Sequence, residues 1–241
     1  MAVTGDTGLG ASFDPDRIAA LRKQTNPARP GASAPAPGKF SGARQLWTRA
    51  AVLVTGFVAL LYVIEVLDTI NDSRFEQAGI EPRQVDGLSG ILFAPMLHGP
   101  WDHLIGNTLP VLVLGFLALV SGLWRGVAAT AIIWVIAGAG TWLTGASGTV
   151  HIGASSLIFG WLTYLISRGW FARHPWQIVL GLIVFALYGS LLWGVLPGQP
   201  GISWQGHLFG ALGGLVAGWV LSGDERRHRR QAHAGALPSP R

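Results

Sequence analysis

The sequence lacks cysteine and has few charged residues. Without Cys, the chain has no disulfides, no thiolate nucleophile and no Cys-ligated metal site. Asp, Glu, Lys and Arg make up only 12% of its 241 residues, whereas a soluble domain usually carries about a quarter. Hydrophobic residues make up 50%, and the eleven Trp are typical of anchors at bilayer interfaces. The composition therefore favours a membrane protein over a soluble one.

Long apolar runs begin only after a polar amino-terminal stretch. Residues 1–45 are rich in Gly, Ala and Pro and cannot bury enough apolar surface to fold, so they predict a disordered tail. The first apolar run starts too late for a signal peptide. We expect a membrane domain at 46–222 and a basic tail at 223–241.

Six apolar segments lie within the membrane domain, each near the ~20 residues that cross a bilayer. They predict an all-α membrane protein, a bundle of six transmembrane helices. The segments are 47–69, 101–121, 126–146, 153–169, 176–195 and 204–222. The stretch between the first two is polar and then turns apolar at ILFAPML, so we expect an interfacial loop that partly dips into the membrane.

Lys and Arg alternate between the connections. Fifteen of them flank the amino terminus, the second-to-third and fourth-to-fifth connections and the carboxyl tail, whereas only Arg74 and Arg83 lie in the others. The positive-inside rule then predicts two cytoplasmic termini. The basic run DERRHRR is expected to be a stop-transfer flank and not a nucleic-acid site, and it could contact anionic lipid.

Four polar side chains fall in the outer halves of the predicted helices, where polar groups are costly and suggest function. His103 and Asn107 are one turn apart in HLIGN, Ser155 opens the fourth segment, and His207 lies near the start of the sixth. Each alone is more typical of helix-to-helix hydrogen bonding. Together at one depth, Ser with His forms a minimal nucleophile and base, and Asn with a second His could stabilise an oxyanion.

Glycines near these side chains favour close helix contact. Gly153 allows an unusual backbone turn before the serine. Gly160 in the fourth segment, with Gly210 and Gly214 in the sixth, would let those two helices approach closely.

Three motifs in order, HLIGN, GASSLIFG and GHLFGALGG, resemble those of the rhomboid intramembrane serine proteases. The resemblance implies a bacterial-type six-helix core in a plasma membrane. It implies Ser155 as nucleophile, His207 as general base, and an oxyanion hole of His103, Asn107 and the Ser155 backbone N–H. Phe159 would pack its ring against the imidazole. The implied substrates are single-pass membrane proteins, cut near a small residue without metal, nucleotide or other cofactor.

The chain departs from the family pattern where Ser156 replaces the usual Gly. This side chain could crowd the helix contact or compete as nucleophile, but Ser155 keeps the motif spacing. Apart from Asp102 at its edge, the region of the second to sixth segments contains no carboxylate. We assign Asp102, Glu65 and Asp68 to interface solvation, and therefore expect a Ser–His dyad.

Three other functions remain open from the sequence. A rhomboid-like pseudoprotease would bind membrane proteins without cutting them, and is expected to lack the Ser or the His. A small transporter would show internal repeats, which we do not detect. A purely structural membrane protein would leave the three motifs unexplained.

Overall fold

The computed structural model describes residues 39–199 and 201–223, together with Asp16, Leu21 and Arg227. Most of the predicted tails at 1–45 and 223–241 lies outside these residues. The chain divides into two compact units, 1–42 and 43–241. All the helix contacts considered below lie in the second unit.

Six long helices correspond to the six predicted segments. We label them α1 to α6: Lys39–Ile70, Trp101–Val120, Leu123–Thr144, Ser155–Ala172, Pro175–Tyr188 and Trp204–Leu221. A 3₁₀ helix, Gly189–Val195, extends α5. No strand occurs in the described part of the chain beyond a single bridge between Ile80 and His151. The protein is thus an all-α membrane protein, as predicted.

Several helix boundaries differ from the sequence prediction, and those at the start of α1 and the end of α4 have a local cause. Helix α1 begins at Lys39 and not at 47, because no proline interrupts residues 39–70 and helical hydrogen bonds can continue beyond the apolar stretch. Helix α4 ends at Ala172, three residues beyond the predicted 169. Arg173 follows with a left-handed backbone (φ 53°), and its N–H caps the Gly169 and Trp170 carbonyls.

Four described segments are long and apolar enough to cross a membrane on their own: Gly42–Ile70, Trp101–Val120, Leu123–Thr144 and Pro175–Val195. Helices α4 and α6 fall short because they carry polar residues and many glycines. Helix α4 lies inside the bundle and contacts α2, α3, α5 and α6, whereas α6 keeps an exposed face that includes Leu212 and Trp219. Every residue from 157 to 165 of α4 is buried. Protein therefore surrounds α4, which needs less apolar surface than a lipid-facing helix.

Helices α4 and α6 touch through their backbones, as the glycines predict. A Cβ at Gly210 would overlap the Ser156 carbonyl, and one at Gly214 would overlap the Gly160 carbonyl. Thr163 adds a hydrogen bond from its Oγ1 to the Ala211 carbonyl (2.7 Å). Small residues thus bring the start of α4 and the start of α6 together.

The first loop, residues 71–100, contains short helical turns and packs on α3. The indole N–H groups of Trp134 and Trp142 donate to the Ile91 and Gln84 carbonyls at 2.7 and 2.9 Å. The Arg83 guanidinium donates to carbonyls at the end of α3, including Gly145 (2.7 Å). Protein contacts thus fix this loop beside the start of α4.

Candidate active site

Ser155 and His207 meet where α4 and α6 begin. The distance from Ser155 Oγ to His207 Nε2 is 2.9 Å, across 52 residues of sequence. Ser155 is the first residue of α4, and His207 lies in the first turn of α6. The structure therefore brings the predicted nucleophile and base into hydrogen-bond contact.

The other imidazole nitrogen determines how this hydrogen bond runs. His207 Nδ1 lies 2.9 Å from the Gly194 carbonyl oxygen. A carbonyl can only accept, so Nδ1 carries the proton and Nε2 accepts the Ser155 hydroxyl. A backbone carbonyl thus occupies the position of the acidic partner in a Ser-His-Asp triad.

Phe159 lies one turn after Ser155 and stacks on the base. Its ring is nearly parallel to the His207 imidazole, with 4.0 Å between centroids and 10° between planes. Both residues are buried. The ring therefore limits the imidazole to one orientation.

Helix α2 brings the predicted oxyanion donors to the same site. A Cβ at Gly153 would lie 2.9 Å from His103 Cε1 and 3.6 Å from Ser155 Oγ, so all three groups are neighbours. Asn107 is 9% exposed, and its Nδ2 is a buried donor without a hydrogen-bond partner among the described residues. An unpartnered buried donor beside a nucleophile is suited to a charge that develops during reaction.

The backbone before Ser155 is held from two sides. Gly153 has φ +116°, a conformation that L side chains rarely adopt. Its N–H donates to the Ala94 carbonyl at 2.8 Å, and the next N–H, of Ala154, points to Nε2 of His98 at 3.4 Å. The Ser155 N–H has no acceptor in the described part of the protein. That N–H therefore remains available to a ligand.

Ser156 contacts α6 through its backbone. The nearest atoms of Ser156 to a Cβ at Gly210 are backbone atoms, so the hydroxymethyl group does not crowd the helix contact. Ser156 instead lines a small cavity with Thr141 and Trp134. The crowding that Ser156 could cause between α4 and α6 is absent, because the residue that faces it on α6 is Gly210.

A cavity of about 980 Å³ opens over the dyad and is lined by Ser155, His207, His103 and Asn107. Glu76 from the first loop also lines it. Burial, followed by the nearby Asp68 carboxylate, raises the pKa of Glu76. The cavity is large enough for an extended peptide segment and for water.

Three polar residues beside the site were missed from the sequence: His98, His151 and Ser203. His151 bonds Ser203 Oγ through Nδ1 at 2.7 Å. Burial lowers the pKa of His151, and burial with the neighbouring His103 lowers the pKa of His98 to about 4. Only Ser203 had a local signal, since a Ser before a helix is a common N-cap.

Comparisons with known proteins identify the family of the chain. A model of the Rhomboid domain matches residues 86–224. Uncharacterised proteins of Mycobacterium tuberculosis (strain ATCC 25618 / H37Rv) and Mycobacterium bovis are each 51% identical over 201 residues, covering 80% of this chain and 84% of theirs. One from Mycobacterium leprae is 44% identical over 213 residues, covering 85% of this chain and 84% of its own. The chain therefore belongs to the rhomboid family, whose members are generally intramembrane serine proteases, and is an integral membrane protein.

Proposed function

We propose that the protein is an intramembrane serine endopeptidase that cleaves transmembrane segments of single-pass membrane proteins. The observation that carries this proposal is the Ser155 Oγ to His207 Nε2 contact of 2.9 Å, with Nδ1 held by the Gly194 carbonyl. Both contacts are needed. The first places the base against the nucleophile, and the second keeps the imidazole in the tautomer that can accept the proton.

In the first step, His207 Nε2 takes the Ser155 proton while Oγ attacks the scissile carbonyl. The imidazolium that forms keeps its Nδ1–H bond to Gly194. It then protonates the leaving amine, which gives an acyl enzyme and an amine product. A water molecule next loses a proton to His207 and attacks the ester, and His207 returns that proton to Ser155 Oγ as the acid product leaves.

The oxyanion of each tetrahedral intermediate would accept hydrogen bonds from Asn107, His103 and the Ser155 N–H. The side chains come from α2 and the N–H from the start of α4. The positive end of the α4 dipole adds to this stabilisation. Asn107 Nδ2 is already unpartnered, so its use breaks no existing hydrogen bond in the described protein.

We infer that the site faces the outer side of a bacterial plasma membrane, with both termini cytoplasmic. The site lies at the ends of the helices next to the connections that contain only Arg74 and Arg83. Water must reach the acyl enzyme, and the open cavity over the dyad provides that access. The mycobacterial relatives support a bacterial setting.

A substrate helix must unwind before it can be cut, because helical hydrogen bonds occupy its backbone. Residues that weaken a helix near the outer membrane face would lower that free-energy cost. We therefore propose substrates with such residues, and a small residue near the cleavage site. The lipid bilayer is the other partner, since it presents the substrate beside the helices.

The proposal is tested in proteoliposomes containing the full-length protein and a model single-pass substrate. Ser155→Ala and His207→Ala should each abolish cleavage, whereas Ser156→Ala should retain it. A fluorophosphonate probe should label the wild-type protein on Ser155 and leave Ser155→Ala unlabelled. Because the two serines are adjacent, Ser156→Ala is the matched control for the loss of one hydroxyl in Ser155→Ala.

Undiminished cleavage by Ser155→Ala would overturn the nucleophile assignment. A folded wild-type protein that binds single-pass substrates but neither cleaves them nor reacts with the probe would instead indicate a pseudoprotease.

A further inference from the structure

A chain of hydrogen bonds connects the loop before Ser155 to the start of α6. His151 Nδ1 lies 2.7 Å from Ser203 Oγ, and His151 Nε2 lies 2.9 Å from Thr149 Oγ1. Thr149 Oγ1 in turn donates to the Ala146 carbonyl at 2.7 Å. We call the His151–Ser203 contact the imidazole clasp.

The acceptors determine the direction of each hydrogen bond in this network. The single hydroxyl proton of Thr149 goes to Ala146, so Thr149 Oγ1 accepts from His151 Nε2–H. His151 Nδ1 then has a lone pair, which accepts the Ser203 hydroxyl. Ser203 Oγ also accepts the Gly206 N–H at 3.2 Å. With His151 as a neutral imidazole, every proton in this network thus has an acceptor.

Each end of the clasp lies beside one member of the dyad. Ser203 is the N-cap of α6, and its carbonyl accepts the His207 N–H at 3.1 Å. His151 is four residues before Ser155, and two hydrogen bonds of 2.9 Å pair its backbone with Ile80 of the first loop. The imidazole thus joins the segment that carries the nucleophile to the turn that carries the base.

We propose that His151 is a positioning residue that fixes the first turn of α6 against the loop before Ser155, and so maintains the contact between Ser155 and His207. This role rests on the proposed function. Both His151 and Ser203 line the cavity over the dyad. A substrate segment that enters the cavity therefore meets a turn of α6 whose position is already set.

The test compares variants of each side of the clasp in proteoliposomes. His151→Leu and Ser203→Ala should each lower kcat by about 10- to 100-fold with little change in KM, since small displacements of catalytic groups have effects of this size. The double variant should be no slower than the slower single variant, because both remove the same contact. His151→Asn should recover most of the rate, because its Oδ1 can accept the Ser203 hydroxyl near the Nδ1 position.

Ser89→Ala is the matched control for Ser203→Ala. Ser89 Oγ donates to the Asp86 carbonyl within the first loop and is exposed. This variant should cleave at the wild-type rate. Unchanged kcat in His151→Leu, additive losses in the double variant, or an asparagine variant no faster than leucine would each overturn the positioning role.

Hydrogen exchange separates this proposal from the proposed function. In His151→Leu, the backbone N–H groups of residues 203–207 should exchange faster than in the wild type, whether or not the protein cleaves a substrate. Wild-type protein that shows no cleavage would contradict the protease assignment alone. Unchanged exchange at residues 203–207 would contradict the clasp alone.

Discussion

The ring of Phe159 lies parallel to the imidazole of His207, with 4.0 Å between their centroids. The contact orients the base before reaction, and the face of the ring attracts the positive charge that the imidazole gains when it takes the Ser155 proton. Such aromatic contacts contribute about 0.5–1.5 kcal/mol. The stacking should therefore affect kcat more than substrate binding.

We expect Phe159→Leu to lower kcat by about 3- to 10-fold, and Phe159→Tyr to retain most of the rate because it keeps the ring. Steady-state cleavage in proteoliposomes measures both. Phe185→Leu is a suitable control, since Phe185 is 51% exposed on the outside of the bundle. Equal rates for Phe159→Leu and the wild type would show that the stacking does not aid catalysis.

Asn107→Ala should lower kcat by about 10²- to 10³-fold with KM nearly unchanged, because an oxyanion donor acts mainly in the transition state. Its Nδ2 bonds no other described residue, so thermal stability in detergent should not fall. Asn71→Ala removes an exposed side-chain amide whose partner among the described residues is the Leu67 carbonyl, and it should leave kcat unchanged. A rise in KM alone would mean that Asn107 binds substrate and does not stabilise the oxyanion.

Gly194→Ala should lower cleavage by at least about 100-fold. A Cβ there would lie 2.8 Å from Phe159 Cζ and 3.1 Å from His207 Nδ1, so either these rings or the Gly194 backbone must shift, which disturbs the contact that fixes the tautomer. Gly56→Ala is the matched control, because a Cβ at that helical position meets no atom within 4 Å. Normal cleavage by Gly194→Ala would show that catalysis does not depend on the close packing of Gly194 against Phe159 and His207.

The sequence predicts the helices well because apolar length and glycine spacing are local signals. Ser155 and His207 also stand out, since polar groups are rare in apolar helices. The Gly194 carbonyl has no signature, because every residue carries the same group. His98 and His151 lie in loops where a histidine is ordinary, and their roles depend on distant partners such as Ser203. The sequence therefore predicts the reacting groups and, by resemblance, the Phe159 ring, but not the Gly194 carbonyl, His98 or His151.

Gly210→Ala should destabilise the folded protein by about 1–3 kcal/mol, since the added methyl overlaps the Ser156 carbonyl of the adjoining helix. Thermal unfolding in detergent measures the loss, with Gly56→Ala again as control. Cleavage should also decrease, because separating α4 from α6 lengthens the Ser155–His207 contact. An unchanged unfolding midpoint would show that this helix contact is loose.

His98 should make the stability of the protein depend on pH. Burial, with the neighbouring His103, lowers its pKa to about 4, whereas an unfolded histidine has a pKa of about 6.5. Between these values the unfolded chain binds more protons, so stability decreases as pH falls from about 6.5 to about 4, by at most about 3 kcal/mol. His98→Gln keeps an acceptor for the Ala154 N–H but does not titrate. Thermal unfolding of both proteins at pH 7 and pH 5 measures the effect, and the glutamine variant should lose less stability on acidification. Identical losses in the two proteins would mean that His98 does not carry this pH dependence.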